Sequence, residues 1–204
     1  MSAVLDAITT KPGFSDPARD SQKVFRVLLD AVARPGTIAK TPVAPEPPAG
    51  LSTAAGAVAL SLFDFETRVW LDDKVRSDAV AAWLRFHCGC PLTTDPAQAH
   101  FALVGDLASA PPLSAFMQGD PRYPDQSTTL IIEVPALAGG LPVEISGPGI
   151  RDTALISPVG PTAEFWAAAQ DNHEQFQCGV DLIFTAGDSL FGLPRSSSIT
   201  PKES

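Results

Sequence analysis

The chain has 204 residues, of which 45% are hydrophobic and 18% are charged, and its formal net charge is −9 at pH 7. This composition is typical of a folded protein with one sizeable core, and it excludes an intrinsically disordered chain. The acidic balance argues against nucleic acid and against an anionic membrane as partners, because both bind surplus lysine and arginine. Only a local concentration of arginines would therefore attract an anionic ligand.

The N-terminal residues MSAVLDAITTKPGF contain neither a basic leader nor a long apolar run, so we predict no signal peptide. No segment reaches the roughly 18 consecutive apolar residues that a membrane-spanning helix needs. Two of the three cysteines are separated by a single glycine, which is a poor disulfide framework and indicates a reducing cytoplasm. We predict one domain over 1–204, with an N-terminal arm at 1–19 and a polar tail at 196–204.

Helices and buried strands alternate along the predicted domain. The first half contains a helix capped at Asp20 or Ser21 that ends at 34–36, a stiff proline-rich connector at 41–50, an alanine-rich helix at 52–62, a strand at 67–71 and a helix from Ser77 that ends at Gly89. The apolar face of the first helix is predicted to comprise Val24, Phe25, Leu28, Leu29 and Val32.

The second half contains a strand at 101–104, a helical turn within 111–117, the strongest strand pattern at 128–134, a strand at 143–145 that could pair with it, a helix capped by Thr162, and a last strand at 180–184. This alternation predicts an α/β layered fold, in which helices cover both faces of a mixed sheet. The sequence SGPGI at 146–150 is predicted to be a structural turn rather than a phosphate-binding loop, because no helix follows it and Pro148 removes an amide donor.

The densest group of reactive side chains is WLRFHCGCP at 83–91, at the end of a predicted helix. His87, Cys88 and Cys90 could bind zinc with a distant histidine or cysteine, but their adjacent spacing crowds a tetrahedral site. A free-standing thiol enzyme with Cys88 as nucleophile and a partner within Asp171–His173 is an alternative of a different class. The plainest interpretation makes both cysteines small core residues at a tight turn, and we predict no bound metal.

Four arginines flank glycine or proline turns, namely Arg34, Arg85, Arg151 and Arg195. The planar guanidinium suits phosphate or carboxylate partners, so these arginines, together with His87 and Cys88, are the predicted ligand- or partner-binding residues. No catalytic residue is assigned. Pyridoxal phosphate requires a lysine, and all five lysines (Lys11, Lys23, Lys40, Lys74 and Lys202) lie in polar segments away from the predicted strand ends. This placement argues against pyridoxal phosphate catalysis, and we predict no cofactor.

The ordered turns of the chain resemble those of the H-subunit family of the bacterial carbon–phosphorus lyase system, which breaks down phosphonates. The resemblance runs from about Phe14 to Arg195 and is carried by seven segments: DSQKVFRVLLDAVARPG, LFDFETRVWL, WLRFHCGCP, STTLIIEV, ISGPGI, FQCGVDLIF and GLPR. The segment Phe176-Gln177-Cys178-Gly179 departs from the Phe-Pro-Gly that the family pattern leads us to expect there.

The resemblance implies a cytoplasmic homodimer whose fold is similar to a reduced pyridoxal-phosphate-dependent transferase domain without the cofactor. It also implies a core complex with the G, I and J subunits, the last being a radical S-adenosylmethionine enzyme. With G, I and the ATPase-like L subunit, the family is implied to join the ribose triphosphate of ATP to an alkylphosphonate, displacing adenine. We expect a scaffold or substrate-positioning subunit that is inactive alone, with a phosphonate or a nucleotide as the candidate ligand.

Overall fold

The computed structural model describes residues 11–201. Within them the helices are α1 (Pro17–Ala33), α2 (Thr53–Leu62), α3 (Asp78–Cys88) and α4 (Ala163–Glu174). The strands are β1 (Ala39–Lys40), β2 (Val69–Leu71), β3 (Leu92–Thr93), β4 (Phe101–Val104), β5 (Thr129–Glu133), β6 (Val143–Ser146), β7 (Ala154–Ile156), β8 (Asp181–Ala186), β9 (Ser189–Leu193) and β10 (Ser198–Pro201). Short 3-10 turns lie at Pro96–Gln98 and Leu113–Ala115.

The main sheet has seven strands in the order β1-β9-β8-β5-β4-β2-β3. The five strands from β8 to β3 run parallel, whereas β9 and β1 are antiparallel additions at one edge. After β2 the chain passes through α3 to the edge strand β3 and then returns across β2 to β4. The direction of winding therefore reverses between β2 and β4, and such a reversal opens a crevice at the carboxyl ends of the two strands.

The side chains of the central strands alternate between two cores, one on each face of the sheet. In β5, Ile131 packs with residues of α1, α2 and α3, whereas Leu130 and Ile132 pack with α4 and the smaller sheet. All three side chains are at most 1% exposed. The predicted α/β architecture, with helices on both faces of a mixed sheet, is thereby confirmed.

Local sequence signals set the helix ends. Ser52 caps α2 by accepting a hydrogen bond from the backbone amide of Ala55 at 3.1 Å, and Ser77 caps α3 through Val80 at 3.2 Å. Gly89 ends α3 with a φ of 67°, the left-handed conformation expected of a glycine at this position. The predicted boundaries of α3 are thus confirmed.

The first helix begins earlier than predicted. Pro17 occupies the first turn of the helix, where a backbone amide would have no partner within the helix, so the missing amide of proline costs nothing. Asp16 caps the helix by accepting from the amide of Arg19 at 3.2 Å. The predicted cap Asp20 is instead a carboxylate that is only 4% exposed. The predicted arm at 1–19 therefore contains the start of α1, and its first ten residues lie outside the described part of the chain.

The buried face of α1 is narrower than predicted. Val24, Leu28 and Ala31 are buried, whereas Phe25, Leu29 and Val32 are 43%, 54% and 41% exposed. A Cβ placed on Gly192 of β9 would lie 2.8 Å from the carbonyl oxygen of Ala31, so the helix backbone rests directly on the strand there. With the helix seated in this way, three of the five residues of the predicted apolar face lie toward solvent.

A second, three-stranded sheet was not predicted. β6 pairs with β7 and β10 rather than with β5, because both edges of β5 are already occupied by β4 and β8. Val143 and Ile145 pack with Ile156 and Ile199 in the same core as α4. The smaller sheet therefore covers part of the face that α4 leaves open.

Residues Ser198–Pro201 of the predicted tail belong to the fold, and residues 202–204 lie outside the described part of the chain. The predicted last strand at 180–184 continues into a hairpin with β9, which turns at Gly187 with a φ of 58°. Residues Ser198–Pro201 then form β10, in which Ile199 is 4% exposed and its amide donates to Gln170 Oε1 at 2.7 Å. Within residues 11–201, none of the helices combines the length and apolar character needed to cross a membrane.

Candidate functional site

A cavity of about 240 Å³ opens where the winding of the main sheet reverses, at the carboxyl ends of β2, β4 and β5. Residues from each strand end and from the start of α4 line it, including Lys74, Gly105, Asp106, Glu133, Thr162 and Phe165. Open α/β sheets bind ligands at this position, because the loops that leave the strands diverge there. We therefore take this cavity as the candidate site.

Glu133, the last residue of β5, is the most constrained carboxylate of the cavity. Its Oε1 accepts from the backbone amide of Ser52 at 2.5 Å and its Oε2 from the Thr185 hydroxyl at 3.2 Å. Burial raises the pKa of Glu133 above its ordinary value, and the hydrogen bonds from Ser52 and Thr185 partly offset that effect. The carboxylate is thus held in one orientation at the cavity wall.

Asp72 fixes the relative position of β2 and β4. This carboxylate is 2% exposed and accepts from the amides of Val75, Gly105 and Asp106 at 2.8, 2.6 and 2.8 Å. Backbone amides at such a strand end are the usual anion donors in nucleotide-binding proteins. Here the protein's own carboxylate has taken them.

Lys74 corrects one expectation from the sequence. It was predicted to lie away from the strand ends, yet it lines the cavity just beyond β2, with its Nζ 3.9 Å from Asp106 Oδ2. The ammonium sits beside that carboxylate on a side chain that is 67% exposed, and Glu133 is the second acid in the lining. The two acids of the lining do not suit the phosphate of pyridoxal phosphate, and Asp72 takes the amides of Gly105 and Asp106 at the end of β4.

A second cavity of about 370 Å³ lies near Arg195, at the amino end of β8. The guanidinium of Arg195 donates to Asp181 Oδ1 and Oδ2 at 3.1 and 2.5 Å, to Ser127 Oγ at 2.6 Å and to the Pro124 carbonyl at 2.7 Å. Its own carbonyl lies 2.9 Å from His173 Nδ1. Arg195 therefore joins the ends of β5 and β8 to the loops around them.

The other predicted arginines lie elsewhere. Arg34 forms an exposed ion pair with Asp30 at 2.8 Å, while Arg85 and Arg151 are exposed on α3 and on the turn after β6. The glycine turn that precedes Arg151 contacts the backbone of Ala33, next to Arg34. None of the six predicted binding residues lines the cavity at β2, β4 and β5, so their roles stay predictions.

The motif at 83–91 does not assemble a reactive centre. His87 Nε2 lies 3.1 Å from the Lys11 carbonyl, whereas Cys88 Sγ faces the Ala59 carbonyl at 3.7 Å. Contact with Cys90, followed by burial, raises the pKa of the Cys88 thiol, and the same contact lowers the pKa of the Cys90 thiol. Cys90 is only 1% exposed, so the thiol with the lowered pKa is not open to a substrate. In the described part of the chain, no three His, Cys, Asp or Glu side chains cluster in a way that could hold a metal ion.

The acids that line the cavity or support it were not predicted, although a signal for them was present in the sequence. Asp72, Asp106 and Glu133 each stand at or within two residues of the carboxyl end of a buried strand. Polar residues at that place in successive parallel strands converge on one edge of the sheet. The connection order that makes β2 and β4 neighbours was the missing step.

The structure defines an α/β protein with a small acidic crevice at the reversal of its parallel strands and an exposed apolar helix face. Residues 12–200 match the family model described as "Bacterial phosphonate metabolism protein (PhnH)". The chain belongs to this PhnH family, and the resemblance noted in its sequence is confirmed.

Two relatives add detail. The chain is 41% identical over 189 residues to "Alpha-D-ribose 1-methylphosphonate 5-triphosphate synthase subunit PhnH" of Rhizobium meliloti (strain 1021), a match that covers 91% of this chain and 93% of that protein. It is also 29% identical over 84 residues to "Putative C-P lyase subunit protein HtxG" of Stutzerimonas stutzeri, which covers 41% of this chain and 43% of that protein.

A substitution at Arg195 tests whether its guanidinium stabilises the fold. Arg195→Met keeps the backbone amide that donates to Asp181 Oδ1 but removes the guanidinium donors to Asp181 Oδ2 and the Pro124 carbonyl. We expect a loss of about 2–4 kcal/mol in the free energy of unfolding, measured by urea titration. Arg34→Met, which breaks an exposed pair, serves as the control and is expected to lose less than about 1 kcal/mol. Equal small losses would show that the Arg195 guanidinium is dispensable for folding.

The raised pKa of Glu133 makes stability depend on pH. Because the folded chain holds the Glu133 proton more tightly than the unfolded chain, the stability from the neutral acid is fully present below the ordinary pKa of 4.5 and is lost as the pH rises through the folded pKa. We expect Glu133→Gln to gain stability relative to the wild type as urea titrations move from pH 4 to pH 8. A difference that stays constant over this range would contradict the assignment.

Proposed function

We propose that this chain is the H-type subunit of a carbon–phosphorus lyase assembly and contributes to the synthesis of α-D-ribose 1-methylphosphonate 5-triphosphate. The observation that carries this proposal is the 41% identity to a subunit of that synthase, over 91% of this chain and 93% of the relative. Similarity along nearly the whole of both chains favours a shared role in the assembly rather than one shared segment.

Within that assembly we propose a scaffold or substrate-positioning role. The thiols and the imidazole of the motif at 83–91 face backbone carbonyls, which supports this role over a free-standing thiol or zinc enzyme. The cavity at the reversal of the sheet offers carboxylates held in place by the fold, which suits the orientation of a substrate. We infer that the chain acts as one domain in the cytoplasm, with G, I and J subunits as its partners.

A likeness to a reduced pyridoxal-phosphate-dependent transferase domain remains part of this proposal. Five parallel strands with helices on both faces support it. The cavity with Lys74, Asp106 and Glu133 supports a role without that cofactor, because a phosphate placed between its two acids would be repelled.

We also propose that the chain forms a homodimer through α1. Phe25, Leu29 and Val32 are spaced by four and three residues, so they share one exposed face of the helix, beside an apolar cavity of about 290 Å³. A two-fold axis through this face would place Phe25, Leu29 and Val32 of one copy against the same side chains of the other, so the apolar face is complementary to itself. Such self-complementarity is what an isologous dimer requires.

The proposed function is tested by complementation. A Rhizobium meliloti strain that lacks its own PhnH subunit is supplied with this chain and grown on methylphosphonate as the sole phosphorus source. We expect growth, because the chains are similar over nearly their whole length. If the chain accumulates in folded form and growth on inorganic phosphate is normal, but methylphosphonate is not used, the proposal fails.

The proposed dimer is tested by a charge placed in the α1 face. Leu29→Glu is expected to convert the dimer to a monomer in sedimentation velocity experiments, because two carboxylates would be buried opposite each other at the axis. Leu155→Glu is the matched control, since Leu155 is 58% exposed on the smaller sheet and its variant should stay dimeric. A wild-type monomer, or an unchanged Leu29→Glu dimer, would contradict this interface.

A further inference from the structure

The cavity at the carboxyl ends of β2, β4 and β5 has a lining that selects one kind of ligand. We propose that it binds the sugar of a ribose phosphate, with sugar hydroxyls donating to Glu133 and Asp106 and the phosphate directed toward Lys74. The choice of ribose rests on the proposed function, whereas the choice of a hydroxyl-rich anion rests on the residues of the cavity.

The two carboxylates of the lining, Glu133 and Asp106, make the site a hydrogen-bond acceptor. Glu133 receives one protein donor on each oxygen, from Ser52 and Thr185, which fixes its plane and leaves further lone pairs for a ligand. Asp106 Oδ1 accepts from the Ala108 amide at 3.0 Å, and its Oδ2 faces Lys74. Neighbouring hydroxyls of a sugar are the neutral donors that such a pair of fixed carboxylates can bind.

A phosphate does not fit beside the two carboxylates of the same cavity. The amides of Gly105 and Asp106, which would otherwise receive an anion, donate to the buried Asp72. Glu133 and Asp106 would repel an anion placed between them. Lys74 is the cation of the lining, and its largely exposed side chain can reach a phosphate that lies at the mouth of the cavity.

The size of the cavity supports a sugar rather than a whole nucleotide. Its volume of about 240 Å³ is smaller than the roughly 300–1,000 Å³ of sites that enclose drug-sized ligands. Phe165 and Leu107 supply the apolar walls against which the carbon face of a sugar ring can pack. The rest of a larger ligand would extend outside, where another subunit of the assembly can contact it.

The test is isothermal titration of the full-length chain with ribose 5-phosphate, ribose and inorganic phosphate, each in a separate experiment. We expect ribose 5-phosphate to bind more tightly than ribose, and inorganic phosphate to bind more weakly than either. Glu133→Gln and Asp106→Asn should each weaken ribose 5-phosphate about tenfold, because a charged acceptor is lost. Lys74→Met should weaken ribose 5-phosphate about fivefold and leave ribose unchanged, since the exposed ammonium contacts only the phosphate.

Asp171→Asn is the matched control, because Asp171 is an exposed acid near the far end of α4 and should not affect binding. The proposal is overturned if the folded wild type binds ribose 5-phosphate more weakly than about 10 mM. It is also overturned if Glu133→Gln and Asp106→Asn bind it as well as the wild type, which would place the ligand elsewhere. Urea titration establishes that each variant is folded before it is compared.

The titration and the growth experiment together distinguish this proposal from the proposed function. A chain that restores growth on methylphosphonate but binds no ribose 5-phosphate is a subunit of the assembly with a different role for the cavity. A chain that binds ribose 5-phosphate through Glu133 and Asp106 but does not restore growth has the sugar site without the proposed place in the assembly. Each result therefore contradicts one proposal and leaves the other standing.

Discussion

The candidate site depends on the hydrogen bonds that the buried Asp72 carboxylate accepts from backbone amides. A carboxylate that is 2% exposed accepts from Val75, Gly105 and Asp106, and so joins the turn after β2 to the turn after β4. Burial of a carboxylate is costly unless hydrogen bonds replace its hydration, and here three amides do so. The same bonds close the floor of the cavity to external anions and present Asp106 beside Lys74.

The two ends of the parallel sheet are built in opposite ways. At the amino end, Arg195 bonds Asp181, Ser127 and the Pro124 carbonyl, so its charge is used within the fold. At the carboxyl end, Glu133 and Asp106 have partners on one side and a cavity on the other. The charge of Arg195 is therefore neutralised within the fold, whereas the carboxylates of Glu133 and Asp106 remain open to a ligand that donates hydrogen bonds.

Sequence patterns predicted the elements better than they predicted their partners. The starts of α2 and α3 at Ser52 and Ser77 and the stop at Gly89 follow from local chemistry, and all three are where the sequence placed them. The smaller sheet was not predicted, because the alternation of apolar residues in β6 indicates a strand but not the strands with which it pairs. The exposure of Phe25, Leu29 and Val32 was not predicted, because the sequence does not show which part of a wide apolar face is buried. The close approach of Ala31 to Gly192 decides that in the fold.

The candidate site shows the same limit. The arginines, His87 and the cysteines were selected as candidates by residue type. The sequence does not show whether such a side chain already has a partner within the fold, as Arg195 has in Asp181 and Cys88 has in the Ala59 carbonyl. Asp72, Asp106 and Glu133 are ordinary acids in an acidic sequence. They become distinctive only when the return of the chain across β2 brings the ends of β2, β4 and β5 together.

The shape of the molecule favours cooperation with other chains over independent catalysis. A cavity of about 240 Å³ can hold only part of a nucleotide-sized ligand, so the remainder must be exposed or covered by another protein. The exposed apolar side chains of α1 also call for a covering surface, because contiguous apolar patches on soluble domains commonly mark contacts. The proposed site for one part of a ligand and the uncovered apolar face of α1 are together the features expected of a subunit that completes its site by assembly.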